Sequence, residues 1–100
     1  MMTWTDKMHH DEEHQVFECT HGGATAYLSY RWAGPGEVIV HHTVTPTRLR
    51  GQGIASALSQ AATAWFREQG LKVQPLCWFY ARYLRQHPEE QDVLHPEDRA

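Results

Sequence analysis

Arg50-Gly51-Gln52-Gly53-Ile54-Ala55 sets two glycines immediately ahead of a long stretch with helical apolar spacing. A helix that starts there leaves four backbone N–H groups without intrahelical partners, along a dipole that favours negative charge. Glycines let the main chain wrap an anion closely. A diphosphate can then collect several charge-assisted bonds from backbone donors, with the Arg50 guanidinium beside them. The dipole alone contributes about 0.3–1 kcal/mol at an exposed site, so the convergent N–H bonds must supply most of the grip. The bland alternative is a tight turn that binds nothing. Two nucleotide motifs are excluded. The P-loop needs Gly-Lys-Ser/Thr, whereas Gly53 is followed by Ile54-Ala55. The dinucleotide fingerprint needs its third small residue one place later than Ala55.

Cys77 is the second chemical feature. It falls where a short strand gives way to a final helix, a position at which the helix N-terminus stabilises a thiolate. The plain alternative is a small buried hydrophobe. His41 and His42 are adjacent on a strand, which sends them to opposite faces. Either can act as a general base near neutral pH, or can simply pack. They diverge too far to form a metal pair, and the His9, His10 and His14 group gives only a weak zinc signal, so no metal site is expected.

These residues need elements to hold them. His14–Thr20 reads as a strand, and Gly22-Gly23 makes a hairpin with Ala24–Trp32, whose Ala24, Ala26, Leu28, Tyr30 and Trp32 share one face. After the Gly34-Pro35-Gly36 turn, Glu37–Thr45 reads as a central strand rich in β-branched residues, ended by Pro46. Ile54–Gln69 is a helix of roughly 24 Å with Gly70 at its C-terminal end. Leu71–Leu76 is a strand, and a strand, crossover helix and strand predict a parallel pair. Cys77–Gln86 is a second helix bounded by Pro75 and Pro88. The remaining aromatics, Trp4, Trp32, Trp65, Trp78, Phe66 and Phe79, are assigned to packing. The ends, residues 1–13 and 92–100, are expected to be loosely ordered.

One hundred residues make one domain. Its net charge of −3 is uneven: residues 14–88 hold seven bases against three acids, net +4, and both ends are acidic. That balance suits a small anionic ligand. No run of Lys and Arg would trace a nucleic acid backbone. No eighteen-residue apolar window or targeting segment stands out, so neither a membrane partner nor export is expected. Two distant cysteines read as free thiols in a reducing, cytoplasmic setting. Nothing in the pattern predicts an oligomer.

Arg50-Gly51-Gln52-Gly53-Ile54-Ala55 matches the Arg/Gln-x-x-Gly-x-Gly/Ala signature of the GCN5-related N-acetyltransferase superfamily, and the chain resembles its minimal subfamily of about this length. His42-Thr43, Gly70-Leu71-Lys72-Val73, Pro75-Leu76-Cys77-Trp78-Phe79, Tyr83 and His87-Pro88-Glu89 carry the resemblance further, over roughly residues 14–91. It implies an α/β (α+β) fold with a mixed, mostly antiparallel sheet, a splayed parallel strand pair and two helices. It also implies acetyl-CoA or coenzyme A as the cofactor. The pantetheine arm would lie along His42, Thr43, Val44 and Thr45, and the diphosphate would sit on Arg50, Gly51, Gln52, Gly53, Ile54 and Ala55. Cys77 and Tyr80 would face the thioester. The subfamily carries a glutamate after its His-Thr pair and an aromatic residue after the glutamate of its His-Pro-Glu; this chain has Val44 and Glu90.

Acetyl transfer from a thioester needs a neutral amine, a polarised carbonyl and a proton for the leaving thiolate. Cys77 is the candidate nucleophile or acid, and His41 and His42 are the candidate bases. Tyr80 and Tyr83 either offer a hydroxyl or pack with their tips in water. The leading expectation is transfer to a primary amine on a small molecule or a protein lysine. The alternatives are a coenzyme A-binding module with little turnover, and an interaction domain whose turn binds nothing.

Overall fold

The computed structural model describes residues 4–99; Met1–Thr3 and Ala100, within the ends expected to be loose, lie outside the described residues. The chain forms five strands: β1 (Met8–Asp11), β2 (Val16–His21), β3 (Ala24–Gly34), β4 (Glu37–Val44) and β5 (Lys72–Pro75). They lie in the order β1-β2-β3-β4-β5, antiparallel as far as β4 and parallel between β4 and β5. The parallel pair is joined by α1 (Ile54–Glu68), and α2 (Trp78–Gln86) follows β5. This is the mixed sheet with two helices that the sequence predicts.

The helices cover one sheet face. Ile54, Leu58, Ala62 and Phe66, spaced by four along α1, are all buried, as are Leu28, Val38, Val40 and Val73 on the strands beneath. Strand residues of the other parity, such as Tyr27, Ser29 and Arg31, are partly or fully exposed. α1 ends where Gly70, with φ +70°, lets its N–H reach Arg67 O at 3.0 Å and the Leu71 N–H reach Phe66 O at 2.9 Å. That paired bond pattern returns the chain directly into β5. The two helices are joined inside the core by Tyr80 Oη and Thr63 Oγ1, 2.7 Å apart.

Three expectations are corrected. Residues 1–13 contain ordered structure: a 3-10 helix at Trp4–Lys7 and then β1, paired along β2 from Met8↔Cys19 to Asp11↔Val16. His10 stacks on Phe17 at 3.9 Å, meets Trp65 edge-on at 4.5 Å and bonds Tyr30 Oη at 2.7 Å. A polar segment is thus held by one aromatic-faced histidine. His9 and His14 stay apart from it: alternation sends His9 to the other face, and His14 bonds Asp11.

The tail is ordered too. Val93 and Leu94 are buried, and Arg67 grips Asp92 through two bonds of 2.7 Å. Gln91 donates to Leu84 O at 2.9 Å, and His95 bonds Glu37. Finally, Trp32 and Trp78 do not pack fully. Trp32, the last residue to pair before the hairpin irregularity, is 49% exposed, and Trp78 is 70% exposed.

Candidate active site

β4 is where the fold makes room. Ser29 pairs with His42 but Tyr30 pairs with Val40, so His41 is an extra residue, a β-bulge. A one-residue insertion exchanges the two faces of everything beyond it. Thr43 therefore pairs with buried Leu28 and joins the helix-covered face already used by Val38 and Val40. The bulge also corrects the expectation that His41 and His42 diverge. Their ring centroids are 4.8 Å apart, and both line the same cleft.

β5 leaves β4 at the same place. Parallel pairing runs only from Glu37↔Lys72 to Val40↔Pro75. The Leu76 N–H then bonds Gln74 O at 3.2 Å, turning the chain aside, and the Cys77 N–H makes a last bond to Val40 O at 2.9 Å. Beyond that point β4 continues through His41–Val44 with its β5-facing side unpaired by strand. The two strands part around a cleft of about 690 Å³.

The floor of the cleft is the glycine turn. A 3-10 helix at Thr47–Leu49 anchors it through buried Leu49, and the Arg50 guanidinium folds back to Thr45 O at 3.1 Å. Gly51 and Gly53 have φ of +78° and +81°. Gly53 is the N-cap of α1; no side chain caps the helix, and no acidic residue stands in its first turn. Within α1 itself no carboxylate competes with an anion for the N-terminal amides, although Glu89 and Glu90 share a second hollow with Gly53, Ser56 and Ala57.

Cys77 is the N-cap of α2 and is 8% exposed. Its thiol donates to Thr43 Oγ1 at 3.3 Å, across the gap between the strands. Both cysteines are unpaired thiols. The His41 imidazole titrates below the usual histidine range, first because of burial and then because of the charges of His42 and Arg31. It is therefore neutral, and able to accept a proton, at physiological pH. Among the described residues no aspartate or glutamate lines the cleft.

Of the residues singled out from sequence, His41, His42, Thr43, Thr45 and Cys77 meet Arg50, Gly51, Gly53, Ile54 and Ala55 around this one space. Three do not line it. Val44 is 40% exposed outside it, because alternation turns it away from Thr43. Gln52 turns its side chain back to Arg48 O at 3.3 Å, leaving only its main chain in the turn. Tyr80 is fully buried with its hydroxyl on Thr63, and burial pushes that phenol far above its usual range. Its tip is dry rather than wet, and it supports α2 from within. Tyr83 likewise points elsewhere, donating to Glu90 at 2.6 Å.

Sequence reasoning missed three contributors. Leu76 and Trp78, 65% and 70% exposed, stand at the cleft mouth, with the Arg82 guanidinium 5.3 Å from the Trp78 ring. Their exposure follows from the turn after β5, which has no pattern of its own. Trp4 donates its indole N–H to Gln52 O at 2.7 Å, bracing the glycine turn from 48 residues away. No local signal announces such a contact.

Residues 16–93 match the family model described as GCN5-related N-acetyl-transferase. The chain belongs to the GCN5-related N-acetyltransferases. Among its relatives in this family, protein NATD1 of human is 32% identical over 84 residues, covering 82% of this chain and 74% of that protein. Protein NATD1 of chicken (Gallus gallus) is 32% identical over 91 residues, covering 89% and 83%. The solution NMR structure of a GCN5-like protein from Staphylococcus aureus superposes with a TM-score of 0.72 at 27% identity, covering 94% of this chain and 91% of that one. Membership makes acyl transfer the general chemistry of the fold. Among the described residues no helix is long and apolar enough to cross a membrane.

Proposed function

We propose that the protein is an acetyl-CoA-dependent N-acetyltransferase acting on a primary amine, carried by a small molecule or a protein lysine. The observation that carries this reading is the parting of β4 from β5 directly above the glycine turn. An extended amide-bearing arm fits the unpaired side of His41–Val44, and a diphosphate fits the uncapped start of α1. The donor set matches such a ligand: main-chain amides and Arg50 for the phosphates, with no carboxylate in the cleft lining among the described residues.

Acetyl-CoA, when bound, supplies an acetyl group activated as a thioester. His41, held neutral by its surroundings, takes the proton released as the amine nitrogen forms its bond to the carbonyl carbon. Cys77 gives its thiol proton to the sulfur as the carbon–sulfur bond breaks, and Thr43 holds that thiol in place. The proton-donor role is favoured over a nucleophilic one because the thiol is engaged as a donor to a hydroxyl, with no base bonded to it among the described residues.

Titration calorimetry with coenzyme A, together with thiol release across a panel of amines, tests the reading. Wild type is expected to bind and to release thiol. Cys77→Ala is expected to bind within about twofold of wild type and to lose about a hundredfold or more in rate, the usual worth of a positioned acid. A chain that gains the mass of one acetyl group during turnover would instead make Cys77 a nucleophile. Binding without release on any amine would favour a coenzyme A-binding module, the reading for which Val44, standing where the subfamily carries glutamate, speaks.

A further inference from the structure

Trp4 lies outside the family-matched residues 16–93 and yet touches the glycine turn. Its indole N–H reaches Gln52 O at 2.7 Å. Its ring is fixed in turn by His21, edge-on at 5.1 Å, and by the Lys7 ammonium, 5.8 Å from the ring centre. Lys7 Nζ itself lies 3.1 Å from His21 Nδ1. These contacts make a small brace between the N-terminal 3-10 helix, the end of β2 and the turn.

What the brace holds is one peptide unit. In a trans peptide the C=O and N–H point in opposite directions. Fixing the Gln52 carbonyl on Trp4 therefore directs the Gly53 N–H away from Trp4. Gly53 lines the cleft. Gly51 and Gly53, both at positive φ, flank Gln52, and glycines resist rotation of a neighbouring peptide plane less than any other residue. Without a tether this peptide can turn over and present its carbonyl oxygen, an anion-repelling group, in place of an N–H donor.

We propose that Trp4 is a positioning residue: it locks the Gln52–Gly53 peptide so that the Gly53 N–H faces the cleft as a diphosphate donor. The ligand part of this statement rests on the coenzyme reading above; the lock itself does not. The N-terminal segment thus serves as a strap that pre-organises the anion site before anything binds, so less ordering is left to be done on binding.

The test uses the full chain and Trp4→Phe, which keeps a ring against His21 and removes only the N–H donor. In the ligand-free protein, amide NMR relaxation dispersion should show Gln52 and Gly53 quiet in wild type and exchange-broadened in W4F. Coenzyme A affinity should fall about fivefold in W4F, the size of one net hydrogen bond. Affinity for pantetheine, which lacks the diphosphate, should stay unchanged. Equal loss for both ligands would mark Trp4 as a general support of the fold and overturn the proposal. So would quiet Gln52 and Gly53 amides in W4F. A mobile turn in W4F combined with no coenzyme A binding by wild type would keep the lock and sink the coenzyme reading. Should W4F melt early, Trp4→His, which restores a ring N–H donor, must recover the quiet turn if the lock is real.

Discussion

Gly53 and His41 carry the sharpest residue-level consequences. A Cβ at Gly53 would meet nothing within 4 Å, so crowding does not oppose a side chain there; φ of +81° does. Gly53→Ala should cost about 1–2 kcal/mol of stability in urea unfolding, the price of left-handed backbone for an L-residue. It should also weaken coenzyme A binding. Gly70→Ala, at φ +70° but remote from the cleft, is the control: it should lose comparable stability and leave affinity untouched. His41 makes a pH argument. In the proposed mechanism its neutral form is the base, and burial lowers its pKa below the usual 6.5. The transfer rate should therefore rise with pH through a midpoint below 6.5 and level off above it. His41→Gln should abolish that acid limb in an initial-rate pH profile. The same shift bears on stability: the folded state resists the proton, so this contribution is intact above 6.5 and is lost as pH falls through the depressed value.

At the scale of elements, the link between α1 and α2 is a buried hydrogen bond whose two ends are not equivalent. Thr63 Oγ1 already donates to Ser59 O at 2.8 Å, so the Tyr80 hydroxyl is the donor in the 2.7 Å bond between them. Tyr80→Phe removes that donor and leaves Thr63 otherwise bonded, at a cost of about 1 kcal/mol. Thr63→Val strands a hydroxyl in a fully buried position and should cost more, about 1–3 kcal/mol. Chemical denaturation of the two variants gives the order. α1 was legible because Ile54, Leu58, Ala61 or Ala62, and Trp65 recur at helical spacing, although the fourth fully buried position is Phe66 rather than Trp65. α2 was legible from Cys77, Ala81 and Leu84. β2 was legible from Val16 and Phe17 ahead of a glycine turn, β3 from alternation, and β4 and β5 from their β-branched residues. β1 was not, because Met8–Asp11 has no alternating pattern and is held by the contacts of His10 with Phe17, Trp65 and Tyr30, which belong to other strands and a helix. The site was half legible for the same reason. The glycine turn and Cys77 announce themselves locally, whereas the bulge at His41 exists only in the pairing of β4 with β3.

Across the whole molecule, the acidic tail closes the structure. Arg67 on α1 and Lys72 on β5 both bond Asp92, through its carboxylate and its carbonyl respectively, while Arg99 bonds Leu94 O at 3.0 Å. The Arg67–Asp92 pair is half exposed, so Asp92→Asn should cost less than about 1 kcal/mol. Ending the chain after Gln91 should cost about 3 kcal/mol or more, since Val93 and Leu94 leave the core with it. Thermal melting of the two variants separates charge from burial. The opening between β4 and β5 has a consequence of its own. A row of strand amides open to solvent is a template for any extended chain, including a neighbouring molecule's. Most proteins meet this hazard along a whole outer strand; here it is confined to the stretch of β4 beyond its last pairing with the outer strand β5, at the place where the ligand would lie. Under the proposed function, a ligand lying along this stretch would also shield it from a neighbouring molecule's extended chain.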